Sequence, residues 1–168
     1  VKIEISCLSM DEPTELRQIR SLIGESFDGE DRGAESLVRT VVPTRTFLEK
    51  LFLLAEEFQK EKPRSVRMSR HLYDLEKLMD TEYGLEALSN RKLYDAIVEH
   101  RKTYYALKYV NYDLHAPSSI SFTIPKSVMD AWQDDYADMR RFFIYGESLE
   151  FDALMQKMRE LQERVRVM

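Results

Sequence analysis

The sequence predicts a mainly α fold: an irregular helical bundle with one to three short strands near the amino terminus or at the edges. Apolar residues recur at helical spacing in five or six segments, whereas alternation of apolar and polar residues is confined to short stretches. The 168 residues are 43% hydrophobic and 33% charged, which is typical of a globular chain with its own core. We divide the chain into a strand-containing segment, residues 1–42, and one compact helical unit, residues 43–168.

The first segment opens with alternation. VKIEISCL, residues 1–8, has the period of a half-buried strand. Residues 11–27 carry apolar side chains at helical spacing behind an acidic start, which predicts a helix. After a polar loop, a short β-like run predicts a strand over residues 37–42, which Pro43 ends.

Two helices joined by a short basic loop form the centre of the sequence. Thr46 and Glu49 have the spacing of a capping box, which predicts the start of the first helix, and Ser69 is the predicted cap of the second. Each helix carries a charged residue at the border of its apolar face, Lys50 on the first and Asp74 on the second. Because the loop between the helices is short, we expect these two side chains to approach each other.

The charges near this pair allow two interpretations. Arg70, Asp74 and Lys77 have the i, i+4, i+7 spacing of an ordinary solvent-exposed row of ion pairs. Lys50 then only extends along apolar surface towards water. Alternatively, the basic loop over residues 60–70, in a chain of net charge −5, binds phosphate oxygens.

The remaining segments predict three further long helices and one short strand. Helices are predicted over residues 91–109, 125–145 and 148–168, and the strand over residues 120–124. Asp135 lies on the apolar face of its helix, which is unusual, and we expect it to pair with a neighbouring cation.

Composition excludes several classes of protein. The acidic net charge argues against a generic basic nucleic-acid binder. The single cysteine, Cys7, has no partner for an internal disulfide, which favours a reducing, cytoplasmic location. The longest apolar run is far shorter than the roughly 20 residues of a membrane helix. The sequence contains no Walker loop, nucleophile elbow or HExxH motif.

The two central helices resemble a known family. RTFLEKL at residues 45–51, followed by SRHLYDLEKL at residues 69–78, resembles the AbiEii/AbiGii nucleotidyltransferases of bacterial type IV toxin–antitoxin and abortive infection systems. The similarity continues through EHRKTYY and WQDDYADM to LEFDALMQKM. It implies the C-terminal part of a nucleotidyltransferase-fold protein that transfers a nucleotide from an NTP to an acceptor. The 3′ end of tRNA is the candidate acceptor, and a cognate antitoxin is the candidate protein partner.

The resemblance also implies roles for individual residues. Lys50 would bind the triphosphate. Asp74 would orient or deprotonate the acceptor, or position Lys50. Arg67 and Arg70 would contact phosphates. Arg101 matches the basic position of an H-(K/R) pair in the family, and would also reach a phosphate.

A metal site is implied only in part. The family holds Mg²⁺ with carboxylates from a G-G/S helix start and a D-x-D strand, and neither motif occurs here. Glu4 matches an accessory carboxylate near that metal, or is simply an exposed strand residue. We expect no metal bound to this chain alone, no transfer activity of its own, and a homodimer formed through the strand of residues 1–8. The alternative function is a non-catalytic helical interaction or regulatory module.

Overall fold

A computed structural model describes residues 14–27 and 35–168. Within them the fold is mainly helical with one small antiparallel sheet, which confirms the predicted fold class. The chain divides into two compact units, residues 1–42 and residues 43–168. The strand predicted over residues 1–8 lies outside the described residues.

The described part of the first unit contains a pair of antiparallel strands. Strand β1, Thr14–Arg20, pairs with strand β2, Glu35–Val41, in a register that places Thr14 opposite Val41. The strand predicted over residues 37–42 is thereby confirmed, with its start two residues earlier.

The helix predicted over residues 11–27 is wrong for most of its described length. Residues 14–20 form β1, and helix α1 covers only Leu22–Ser26. The Ser21 hydroxyl caps α1 by accepting a hydrogen bond from the Gly24 amide at 2.9 Å. Antiparallel pairing with β2 along β1 satisfies the peptide groups that face the partner strand, and this pairing outweighs the helical spacing of the side chains.

The second unit is a bundle in which two helices are central. Helix α2 packs against α3, α4 and α5, and helix α3 also packs against α6 and α7. No helix in residues 14–27 and 35–168 is long and apolar enough to cross a membrane. The six helices of this unit are α2 (Pro43–Glu57), α3 (Ser69–Leu78), α4 (Glu82–Ser89), α5 (Arg91–His100), α6 (Met129–Phe142) and α7 (Phe151–Arg166).

The capping box predicted for α2 is wrong. The helix begins at Pro43, three residues before Thr46, so both members of the box lie inside it. Proline suits the first turn because its missing N–H has no helical acceptor there. Glu49 instead accepts a hydrogen bond from the Arg45 guanidinium at 3.0 Å.

The strand predicted over residues 120–124 does not form, although its alternation is real. Ile120, Phe122 and Ile124 are buried, whereas the residues between them are exposed. The partner is a side chain rather than a strand. The Gln162 amide of α7 donates to the Ile120 carbonyl at 2.7 Å and accepts from the Phe122 amide at 3.2 Å. Two backbone groups of this extended segment are therefore satisfied by a side chain and not by a sheet.

Candidate functional site

The site begins with the predicted pair on the two central helices. The Lys50 ammonium lies 2.6 Å from a carboxylate oxygen of Asp74, which confirms that the two side chains approach each other. The side chains are 23% and 35% exposed, so the pair lies at the border between core and solvent. Asp74 therefore pairs across the helices. Of the two interpretations of these charges, the solvent-exposed row along α3 is not formed: Asp74 bridges Lys50, and Lys77 bridges Glu76.

A buried histidine adjoins this pair. His71 lies one turn before Asp74 on α3, and is only 7% exposed. Burial, followed by the positive charges of Lys50 and Arg70, lowers the pKa of His71 to about 4. Its imidazole is therefore neutral near pH 7. Within residues 14–27 and 35–168, its Nδ1 atom has no hydrogen-bond partner.

The two arginines predicted to bind phosphate lie at the start of α3. Both Arg67 and Arg70 are exposed, and neither side chain forms an ion pair within the part of the chain that the structure describes. Arg70 precedes Asp74 by four residues, so the two share one helix face, with about 5–6 Å between their Cβ atoms. Arg67 has a φ of 59°, in the left-handed region that bulky residues rarely adopt.

A carboxylate from α6 holds this segment in place. Asp135 accepts hydrogen bonds from the Arg67 amide at 2.5 Å and from the Ser69 amide at 3.0 Å. The Ser69 hydroxyl also donates to it, at 2.5 Å. Both sequence predictions for these residues are therefore wrong. Ser69 is the first residue of α3 and not its cap, and Asp135 caps α3 rather than pairing with a side-chain cation.

A pocket of about 400 Å³ opens between the start of α3 and the end of α6. Sequence reasoning identified its two arginines but missed the pocket itself. The one signal in the sequence was the acidic residue on the apolar face of α6. Residues from both sides line it: Val66, Arg67, Arg70, Asp135, Asp138, Met139 and Phe143.

Arg101 lies in a different environment from the other predicted phosphate contacts. It begins a π-helical turn, Arg101–Tyr105, and is only 4% exposed. Its guanidinium binds both carboxylate oxygens of Glu56, at 2.7 and 2.5 Å, and contacts Glu49. The predicted phosphate role of Arg101 has no support in this geometry, because its donors face carboxylates of α2 instead of solvent.

The sequence predicts one metal ligand, Glu4. Glu4 lies outside the described residues. Among residues 14–27 and 35–168, no three His, Cys, Asp or Glu side chains are grouped so as to hold a metal ion. The role of Glu4 beside a Mg²⁺ site therefore stays a prediction.

The family resemblance has independent support. The model of the family described as "Nucleotidyl transferase AbiEii toxin, Type IV TA system" matches residues 1–157. This range contains the Lys50–Asp74 pair and every residue that lines the pocket. No curated protein and no solved structure matches the chain.

Proposed function

Since the chain belongs to the AbiEii nucleotidyltransferase toxin family, we propose that it is the C-terminal part of such an enzyme and holds the NTP and the acceptor during nucleotidyl transfer. Membership of a type IV toxin–antitoxin family implies a nucleotide substrate and an antitoxin partner. The observation that carries the proposal is the ion pair of 2.6 Å between Lys50 and Asp74 at an open border of the helical unit.

Each member of the pair has a distinct role in this proposal. Lys50 binds the triphosphate, because an ammonium group at a partly exposed position is free to exchange its carboxylate partner for phosphate oxygens. Asp74 holds the ammonium in place before the nucleotide arrives. It then orients or deprotonates the hydroxyl of the acceptor. Arg70, one turn earlier on α3, adds a second cation on the same side.

Two further parts of the proposal rest on the family alone. The acceptor is the 3′ end of tRNA. Mg²⁺ is held by carboxylates from a G-G/S helix start and a D-x-D strand, and neither motif occurs in these 168 residues. We therefore expect the 168-residue chain to transfer no labelled nucleotide from an NTP to tRNA in the presence of Mg²⁺. Transfer by this chain would contradict the assignment of the metal site to a separate segment.

Binding of NTPs to the chain tests the role of Lys50 directly. Lys50→Met keeps the aliphatic stem and removes the charge, so we expect NTP affinity to fall by about 10- to 150-fold, as for loss of a hydrogen bond to a charged group. Lys77→Met is the matched control, because it removes the same charge from α3 at a residue that pairs with Glu76. Calorimetric titration with ATP, GTP, CTP and UTP in turn measures both variants.

Asp74→Asn separates binding from catalysis. Because it removes a negative charge beside the triphosphate, we expect unchanged or tighter NTP binding by the chain. We expect loss of transfer in a full-length enzyme that carries the same substitution. Equal affinities of Lys50→Met and Lys77→Met would refute the proposal. Absence of binding to any of the four NTPs would favour the helical interaction module.

A further inference from the structure

The pocket beside α3 and α6 has the form of a small-ligand site. Its volume of about 400 Å³ falls within the range of roughly 300–1,000 Å³ typical of such sites. Val66, Met139 and Phe143 give it apolar walls, and Arg67 and Arg70 bring two positive charges to it. Apolar walls with a few charged groups favour a ligand that is partly apolar and partly anionic.

The arginines are available to bind such a ligand and are preorganised for it. A guanidinium binds phosphate through two parallel N–H donors, and neither of these side chains forms an ion pair within the described residues. The Arg67 backbone is fixed in the left-handed region by the bond of 2.5 Å from its amide to Asp135. A rare backbone conformation that a neighbouring helix holds in place is typical of binding segments.

The aromatic wall favours a planar ligand. Phe143 follows directly after α6, and its side chain is 67% exposed although the residue lines the pocket. An exposed ring offers a face on which a nucleobase stacks. Asp138, also on the lining, is exposed and offers carboxylate oxygens to a hydroxyl or amino group.

One residue of the pocket lining, Arg70, lies near the Lys50–Asp74 pair along α3. Arg70 lines the pocket and lies one helical turn from Asp74 on the same face of α3. The positive charges of Lys50 and Arg70 both lower the pKa of His71, which lies between Arg70 and Asp74 on α3. Along α3, a cation that lines the pocket therefore comes one turn before the carboxylate that pairs with Lys50.

We propose that this pocket holds the base and ribose of the nucleotide whose triphosphate Lys50 binds. The base stacks on Phe143, a ribose hydroxyl donates to Asp138, and the phosphates lie along Arg67 and Arg70 towards Lys50. This inference rests on the function proposed above and adds the position of the base, which the family match does not give.

Paired substitutions test the inference in the 168-residue chain. Phe143→Leu removes the stacking face, and Phe142→Leu is its matched control, because Phe142 is adjacent and 56% exposed but does not line the pocket. Stacking on one aromatic side chain corresponds to about 5- to 150-fold in affinity. We expect Phe143→Leu to weaken binding of NTPs by that factor, and to leave binding of inorganic tripolyphosphate unchanged.

The arginines give the complementary result. Arg70→Met should weaken binding of both NTPs and tripolyphosphate. Arg141→Met is the matched control, because its guanidinium lies 4.9 Å from the Phe142 ring and outside the pocket. It removes the same charge and should weaken the binding of NTPs and of tripolyphosphate only slightly. Because both aromatic residues are more than half exposed, the helical content of the variants should match that of the unsubstituted chain.

The outcomes separate this inference from the proposed function. Weaker NTP binding in Lys50→Met, with equal affinities of Phe143→Leu and Phe142→Leu, would overturn the base site and leave the function standing. Weaker binding in Phe143→Leu, with no effect of Lys50→Met, would overturn both the proposed role of Lys50 and the inference that the pocket serves the same nucleotide as Lys50. Binding of tripolyphosphate as tight as that of every NTP would also overturn the base site.

Discussion

Removal of Arg101 should destabilise the helical unit, because it leaves a buried carboxylate without its partner. Arg101 and Glu56 are 4% and 3% exposed, and the guanidinium binds both oxygens of that carboxylate. Breaking a buried pair by removing one member typically costs 3–5 kcal/mol. We therefore expect Arg101→Met to lower the free energy of unfolding by about 3–5 kcal/mol near pH 7.

The pH dependence of this loss follows from Glu56. Burial raises the pKa of Glu56, but the hydrogen bonds and positive charge of Arg101, together with the His115 imidazole at 3.7 Å, outweigh burial and hold this pKa below its ordinary value. In the native protein, the contribution of Glu56 to the free energy of unfolding is therefore complete above about pH 4.3, the pKa of a glutamate in the unfolded chain. This contribution is lost as the pH falls through the pKa that Glu56 has in the folded protein. Without Arg101, we expect burial to raise the folded pKa above the unfolded value. The variant should then lose stability as the pH rises above about 4.3, so the difference between the two proteins grows from pH 4 to pH 7.

Urea denaturation at several pH values measures this difference. The only tryptophan, Trp132, is fully buried in the helical unit, and its fluorescence reports on that unit. Arg91→Met is the matched control, because it breaks an exposed pair with Asp95 and should cost less than about 1 kcal/mol. Adding Glu56→Gln to Arg101→Met should restore part of the loss and remove its pH dependence. A loss no larger than that of the control, or one that shrinks as the pH rises, would refute the reasoning.

Three other predictions address backbone geometry and assembly. Gly84→Ala should lower the free energy of unfolding by about 1–3 kcal/mol in the same urea assay, because a Cβ atom there would lie 2.2 Å from the Leu78 carbonyl oxygen. Leu85→Ala, at an exposed side chain of the same helix, is the control. Arg67→Gly should be more stable than Arg67→Ala by about 1 kcal/mol in thermal unfolding, because glycine adopts a φ of 59° without strain. Both variants lack the guanidinium, so they should bind NTPs equally weakly. Equal stabilities would argue against strain at this residue. Finally, neither outer edge of the two-stranded sheet pairs with another strand of residues 14–27 and 35–168. We therefore expect sedimentation at micromolar concentration to show a dimer formed through the N-terminal segment, and a clean monomer would contradict this.

The sequence was sufficient for features that depend on neighbouring residues in the chain. The approach of Lys50 and Asp74 was predictable because two periodic helices joined by a short loop must pack against each other. Strand β1 was not predictable from its own residues, because their spacing also fits a helix. The pairing that decides between strand and helix comes from β2, further along the chain.

Features made by distant segments were not predictable. Asp135 is 66 residues from Ser69 in the chain, and nothing in its own helix indicates which amides it accepts from. The pocket depends on the same approach of α6 to α3. The buried state of Arg101 likewise depends on two carboxylates about 50 residues earlier, and a sequence pattern gives the charge of a residue but not its burial.

Because the Phe122 amide donates a hydrogen bond to the Gln162 side chain, its hydrogen exchange reports on the docking of helix α7. In a sheet, exchange of the Phe122 amide with solvent deuterium would follow separation of two strands. Here the acceptor is a side-chain oxygen on α7, so the proton becomes exchangeable when that helix lifts from the bundle. Its exchange rate, compared with that of an amide inside α2, therefore measures how often α7 undocks while the rest of the core stays closed.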